Sequence, residues 1–198
     1  MKTRESGMPD DGSWASFFEP EEVLRKLRLM STCGDLVEFG CGYGTFTVPA
    51  ARIVSGTVYA LDIEPEMVAT TCAKATAAGL ANVTARQRDF VAAGTGLPDA
   101  SVDYAMLFNI LHAQRPQILL REAFRVVRPG GILAIVHWNY DPTTPRGPSM
   151  EIRPRPQDCA GWAEEAGFQL MTPGILDLPP YHYGMALNRP ETASGGRL

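Results

Sequence analysis

The stretch Asp35-Leu36-Val37-Glu38-Phe39-Gly40-Cys41-Gly42-Tyr43-Gly44 decides the fold. An apolar run of this length reads as a strand buried on both faces of a parallel sheet. Glycines at alternate positions after it let the backbone turn sharply and approach a ligand with no Cβ in the way. Glu38, two residues before Gly40, would repel a diphosphate and suits a ligand carrying an ammonium or sulfonium group.

The spacing separates this turn from the dinucleotide-binding G-x-G-x-x-G pattern, in which a pyrophosphate sits on a helix N-terminus. Here the pattern is G-x-G-x-G with an acid ahead of it. A second buried strand, Val58-Tyr59-Ala60-Leu61, ends at Asp62, eighteen positions after Gly44. An acid there can accept hydrogen bonds from both hydroxyls of a ribose. Pro65 suits a helix start, and Met67 can lie against a flat ring.

VEFGCGYG resembles the first motif of class I S-adenosylmethionine (SAM) dependent methyltransferases, and LDIEPEM resembles their second. The resemblance implies that Glu38, Gly40, Cys41, Gly42, Gly44, Asp62, Ile63 and Met67 bind the cofactor. Val83 to Phe90 reads as a third strand ending in an acid. By the same resemblance Asp89 accepts from the adenine amine, and Phe90 supplies a backbone amide or a ring face. Leu97-Pro98 through Asp103 leads into a fourth strand ending at Asn109. Arg128-Pro129-Gly130-Gly131 then introduces a fifth, with Pro129 stopping the preceding helix and the glycines permitting positive φ. The implied fold is α/β: a Rossmann-like, doubly wound, seven-stranded sheet in the order 3-2-1-4-5-7-6 with the last strand antiparallel. The implied cofactor is SAM, with S-adenosylhomocysteine as product.

With 198 residues, 45% of them hydrophobic, the chain suits a single domain spanning 1–198. A net charge of −4 gives no electrostatic footprint for a nucleic acid and favours a small-molecule substrate. Cys33, Cys41, Cys72 and Cys159 form no C-x-x-C pair and no zinc-site spacing, so they read as reduced thiols and no metal is expected. The converging thiols of arsenic methyltransferases are not expected either, because Cys41 sits in the glycine turn and Cys72 on the next helix. There is no apolar run of the roughly 18 residues that span a bilayer and no signal-peptide pattern, which points to the cytoplasm without stable membrane insertion. The oligomeric state is left open.

Residues 1–12 read as disordered, and residues 13–31 as a helical cover for the cofactor, although Trp14, Phe17 and Phe18 would equally pack on the sheet. Helices are expected over Thr45 to Val54, Pro65 to Ala78, Pro116 to Val127 and Gln157 to Ala166. Gly167 to Leu178 and Tyr181 to Asn188 read as an antiparallel closing pair, and Ser194 to Gly196 as a loose tail. Between strand five and the last helix, residues 138–156 carry five prolines and three arginines. A loop beyond the C-terminal end of a parallel strand overhangs the ligand crevice, so this one is expected to face substrate.

Methyl transfer needs orientation and exclusion of water, plus a base where the acceptor must lose a proton. His112 and His137, at the ends of strands four and five, are the candidate bases, and Asn109 can hold the acceptor or the cofactor's methionine end. Each histidine has a structural alternative. Asn109 lacks the N-P-P-F/Y continuation of the exocyclic-amine methyltransferases. Trp138 and Tyr140 can line a pocket, while Arg146, Arg153 and Arg155 offer donors to an anionic acceptor or are solvated loop charges. Three classes compete: a small-molecule methyltransferase, a nicotinamide oxidoreductase that the glycine spacing disfavours, and a SAM-binding regulatory or assembly protein without transferase activity. A phospholipid head group is an alternative acceptor, but no basic amphipathic helix supports it.

Overall fold

The computed structural model describes residues 10–191; the expectations for residues 1–9 and for the Ser194 to Gly196 tail lie outside the described residues. β1 (Leu36–Phe39) is buried along its whole length. It pairs in parallel with β2 (Val58–Asp62) on one side and β4 (Val102–Phe108) on the other, with Phe39 opposite both Leu61 and Leu107. β3 (Val83–Gln87) extends the sheet past β2, and β5 (Val127–Trp138) extends it past β4. β8 (His182–Asn188) runs antiparallel to β5 and carries both β6 (Gln169–Leu170) and β7 (Leu176–Leu178).

The spatial order is β3-β2-β1-β4-β5-β8-β6, with β7 also on β8. This is the expected doubly wound order with one added strand. The segment expected as a single strand from Gly167 to Leu178 is interrupted at Pro173-Gly174, where Gly174 turns with φ +95° and donates to Met171 O at 2.8 Å. A proline cannot donate to a ladder, so the chain pairs with β8 in two pieces.

α3 (Thr47–Ile53), α4 (Pro65–Ala77), α6 (Pro116–Val126) and α7 (Pro156–Glu165) occupy the expected helical segments. Proline begins three of them, where its missing N–H costs nothing. A short α5 (Phe90–Ala93) follows β3. Two pieces replace the single cover expected over 13–31: α1 (Asp11–Ala15) and α2 (Pro20–Lys26). Asp11 and Gly12 are therefore helical, with Asp10 capping α1 by accepting from Ser13 N at 3.1 Å. α2 ends before Arg28, which sits at φ +67°.

Alternation along the strands splits the core into two layers. Val37, Phe39, Leu107 and Ile135 pack with Phe90 of α5, Leu119, Leu120 and Ala123 of α6, and Ala163 of α7. Leu36, Met106, Phe108 and Val136 face Val23 and Leu24 of α2, Leu27, and Phe46 and Ala50 near α3. Leu119 and Leu120 are wholly buried; truncating either to alanine would cost about 2–5 kcal/mol. The buried Tyr104 hydroxyl donates to Leu27 O at 2.8 Å and ties α2 to the sheet.

The R-P-G-G segment corrects one detail. α6 already ends at Val126, and β5 begins at Val127, ahead of Pro129. Gly130 has the expected positive φ of +77°. Gly131 serves a different need, since a Cβ there would stand 2.8 Å from Asp103 O of the neighbouring strand.

Candidate active site

Parallel pairing brings the C-terminal ends of β1 to β5 to one edge, and the candidate residues gather there. Gly40, Gly42 and Gly44 have φ of +80°, +52° and +75°. A side chain is strained in that region, and a Cβ at Gly44 would also meet Thr71 Oγ1 at 3.1 Å. The Gly40 and Cys41 amides both donate to Leu61 O, at 2.8 and 2.9 Å. Thr71 of α4 donates to Gly42 O at 3.0 Å, fixing the turn from the other side.

Asp62 is buried with the turn. Its Oδ2 accepts from Gly42 N at 2.9 Å and its Oδ1 from Glu64 N at 3.0 Å. Each carboxylate oxygen retains a lone pair for a hydroxyl. Glu38 points to the α3 layer and accepts from the Thr47 hydroxyl. Burial pushes its carboxyl up to about 8; the Thr47 bond opposes this, and Asp62 adds to it. The Cys41 thiol turns toward Thr71 Oγ1, 3.5 Å away, and burial followed by Glu38 raises its pKa. Only its backbone belongs to the turn's ligand side. Ile63 and Met67 stand half-buried at the β2–α4 junction, and Ile63 O accepts from Gln87 Nε2 at 3.1 Å.

Asp89 caps α5, its Oδ1 accepting from Val91 N and Ala92 N at 3.2 and 3.0 Å. The Phe90 ring corrects an expectation. It is buried against Phe39, with centroids 5.4 Å apart, so it belongs to the core and offers no face to an adenine. Its backbone amide stays at the strand end.

At the end of β4, Asn109 adopts φ +53°, a left-handed conformation that asparagine tolerates better than most residues. Both atoms of its side-chain amide are shielded from solvent without a hydrogen-bond partner among the described residues. Buried polar groups are ordinarily paired, so this amide has unmet capacity for a ligand. Glycine turn, strand-end carboxylates and open amide together fit SAM: acceptors for a ribose and an adenine amine, and an amide for its amino-acid end.

His112 and His137 do meet. Nδ1 of the first lies 3.4 Å from Nε2 of the second, and both rings are buried. Burial, then His112, holds His137 well below the ordinary histidine pKa. Alternation sends His137 toward Tyr183, which stacks on it at 6.2 Å. The next residue, Trp138, points to the opposite layer and lies under Trp14 and Phe17, at 6.2 and 5.5 Å. Trp138 therefore faces the N-terminal helices and is only 2% exposed.

The loop corrects the reading of Arg153, whose guanidinium turns inward and is 7% exposed. It donates to Pro148 O, Asn139 O, Asp141 O, Arg146 O and Thr144 Oγ1 at 2.6–3.2 Å. Its donors organise the loop and are not offered to an anion. Gly147 fits between this guanidinium and the Trp138 indole, where a Cβ would stand 2.8 and 2.9 Å from them. Tyr140 is exposed beneath Arg155, whose guanidinium carbon sits 3.9 Å from the ring centroid, and Arg146 is exposed.

Sequence reasoning missed Thr47 and Thr71, which hold Glu38 and the glycine turn from helices α3 and α4. It also missed His182, opposite Trp138 on β8. Only the β5–β8 register, which no local pattern carries, could have pointed to it.

The comparisons agree with this geometry. A family model described as a methyltransferase domain matches residues 37–135. Nocamycin O-methyltransferase from Saccharothrix syringae is 36% identical over 131 residues, covering 63% of this chain. The chain spans 45% of the length of the curated relatives it matches. A SAM-dependent methyltransferase from Aquifex aeolicus superposes with a TM-score of 0.80 at 27% identity, over 91% of this chain and 94% of that one. The [4+2]-cyclase SpnF superposes at 0.75 over 96% of this chain and 85% of its own, but at 16% identity it shows the fold alone. With half of its length matched by the family model and the motif residues assembled on one edge of the sheet, the chain belongs to the class I SAM-dependent methyltransferases.

Proposed function

We propose that the protein transfers a methyl group from SAM to a small-molecule acceptor at the C-terminal edge of β4 and β5. The observation that carries this reading is the glycine turn, hydrogen-bonded to Asp62 and flanked by the unpartnered Asn109 amide. When bound, SAM supplies an electrophilic methyl on a sulfonium, and S-adenosylhomocysteine leaves once the C–S bond has broken. Asp62 would hold the ribose, Asp89 the adenine amine, and Asn109 the amino-acid end. The likeness to an O-methyltransferase favours a hydroxyl acceptor.

A hydroxyl must lose its proton as its oxygen attacks the methyl carbon. The histidine pair is the candidate proton acceptor, since it stands where β4 and β5 end. Burial keeps His137 neutral, and its Nε2 faces His112 Nδ1 at 3.4 Å. Removal of such a base typically costs about 10²–10⁴ in rate.

The test is release of S-adenosylhomocysteine across a panel of thiol, amine, phenol and carboxylate acceptors, with wild type and His112→Gln. Turnover with one class, lost in the variant while cofactor affinity holds, supports the reading. Because the same fold is carried by a cyclase, SAM binding without release on any acceptor would favour a cofactor-binding role without transfer.

A further inference from the structure

His182 is used by neither the glycine turn nor the histidine pair. It pairs with Trp138 at the last rung of the β5–β8 ladder, so it stands at the edge where β5 ends. Its side chain is wholly buried, and neither ring nitrogen has a hydrogen-bond partner among the described residues. Phe18 and Trp138 each lie 4.3 Å from it, centroid to centroid, and Trp14 lies 6.4 Å away edge-on. Burial, reinforced by Arg153, lowers its pKa to about 3, so at neutral pH the ring offers one donor and one acceptor.

The short helix over this ring is lightly held, whereas Phe18 after it is buried and packs on Phe46, centroids 5.0 Å apart. This helix, α1, contains no buried residue. Apart from Trp14, Phe17 and Phe18, it is tied down by an ion pair between Asp11 and Lys74 of α4, 2.6 Å long, with side chains 41% and 39% exposed. Exposed pairs of this kind hold weakly, and segments with few buried contacts open most readily. Two arginines of the 138–156 loop are already engaged: Arg153 directs its nitrogens at loop acceptors, and Arg155 lies on Tyr140.

We infer that the acceptor subsite is floored by Trp138 and His182 and opens when Trp14 and Phe18 move off them, and that it takes an uncharged, ring-bearing acceptor. The acceptor ring replaces Phe18 against the aromatic floor, and a hydroxyl or carbonyl on it satisfies a nitrogen of His182. The inference rests on the methyl-transfer reading and adds to it the class of acceptor and a residue that selects it. A site built to hydrogen-bond its ligand rejects analogues that lack the group, because its own polar atoms are then left unpaired.

The test titrates 1-naphthol into wild type and His182→Phe, each with and without S-adenosylhomocysteine. Naphthol is expected to bind wild type and to bind the variant at least about tenfold more weakly. S-adenosylhomocysteine affinity should stay within a few fold, and the variant's Tm should equal or exceed that of wild type because two unpaired nitrogens are gone. Independently of any variant, the ring nitrogens of His182, one of three histidines in the chain, should shift in the ¹⁵N spectrum of wild type on addition of naphthol. No binding to wild type, equal binding to both proteins, or unmoved His182 nitrogens would overturn the inference. Loss of S-adenosylhomocysteine binding with naphthol discrimination intact would instead overturn the methyltransferase reading and leave the subsite standing.

Discussion

Asp62 and Gly42 are joined directly: the carboxylate ending β2 accepts the amide of the turn that follows β1, at 2.9 Å. The two motifs therefore form one unit, and the acid both shapes the turn and presents its remaining lone pairs beside it. Asp62→Ala should lose about 2–3 kcal/mol of S-adenosylhomocysteine affinity, since it removes the acceptor for the ribose hydroxyls. Asp62→Asn, which keeps one acceptor oxygen, should lose less. Titration calorimetry checks the ranking, and an alanine variant with wild-type affinity would remove Asp62 from the site.

Glu38 sets a pH dependence of stability. Its folded pKa is raised to about 8, chiefly by burial, from the ordinary 4.5. The folded state thus holds a proton that the unfolded chain releases, and the associated stability is fully present below pH 4.5 and lost as pH rises through 8. Relative to wild type, Glu38→Gln should become progressively more stable between pH 5 and pH 8, approximately, and level off above. Denaturant melts across this range check it; parallel curves for the two proteins would show that the carboxyl is ionised in the fold at no cost.

Arg153 should behave as the organiser of the loop. Arg153→Ala should cost on the order of 3 kcal/mol, because several buried carbonyls lose their donor at once. Amide exchange over residues 139–153 should rise, while S-adenosylhomocysteine affinity stays within a few fold. Arg146→Ala, at an exposed position, should change stability by less than about 0.5 kcal/mol. Equal effects from the two substitutions would contradict the inward reading of Arg153.

What was legible in the sequence was carried by contiguous residues. The β1 run with its glycines, Asp62 eighteen positions on, and the prolines that start α4 and α6 each state their structure locally. What was not legible depended on contacts distant in sequence. Phe90 reads locally as offering adenine a backbone amide or a ring face, but the packing of α5 on Phe39 sends the ring into the core and leaves only the amide. The parity of β5 decides that His137 faces Tyr183 while Trp138 faces the N-terminal helices. A loop arginine reads as a solvent or ligand contact until the fold shows that the loop closes around it, as around Arg153. The pairing of His112 with His137 likewise follows from the parallel register of β4 and β5.

The central claim is that the crevice edge from Gly40 to Asp62 binds SAM. Titration of wild-type protein with S-adenosylhomocysteine and, separately, with NAD tests it most directly. The account predicts saturable binding of S-adenosylhomocysteine at one site per chain, weakened by Gly42→Val, and no binding of NAD. Tight binding of NAD with no response to S-adenosylhomocysteine would contradict it.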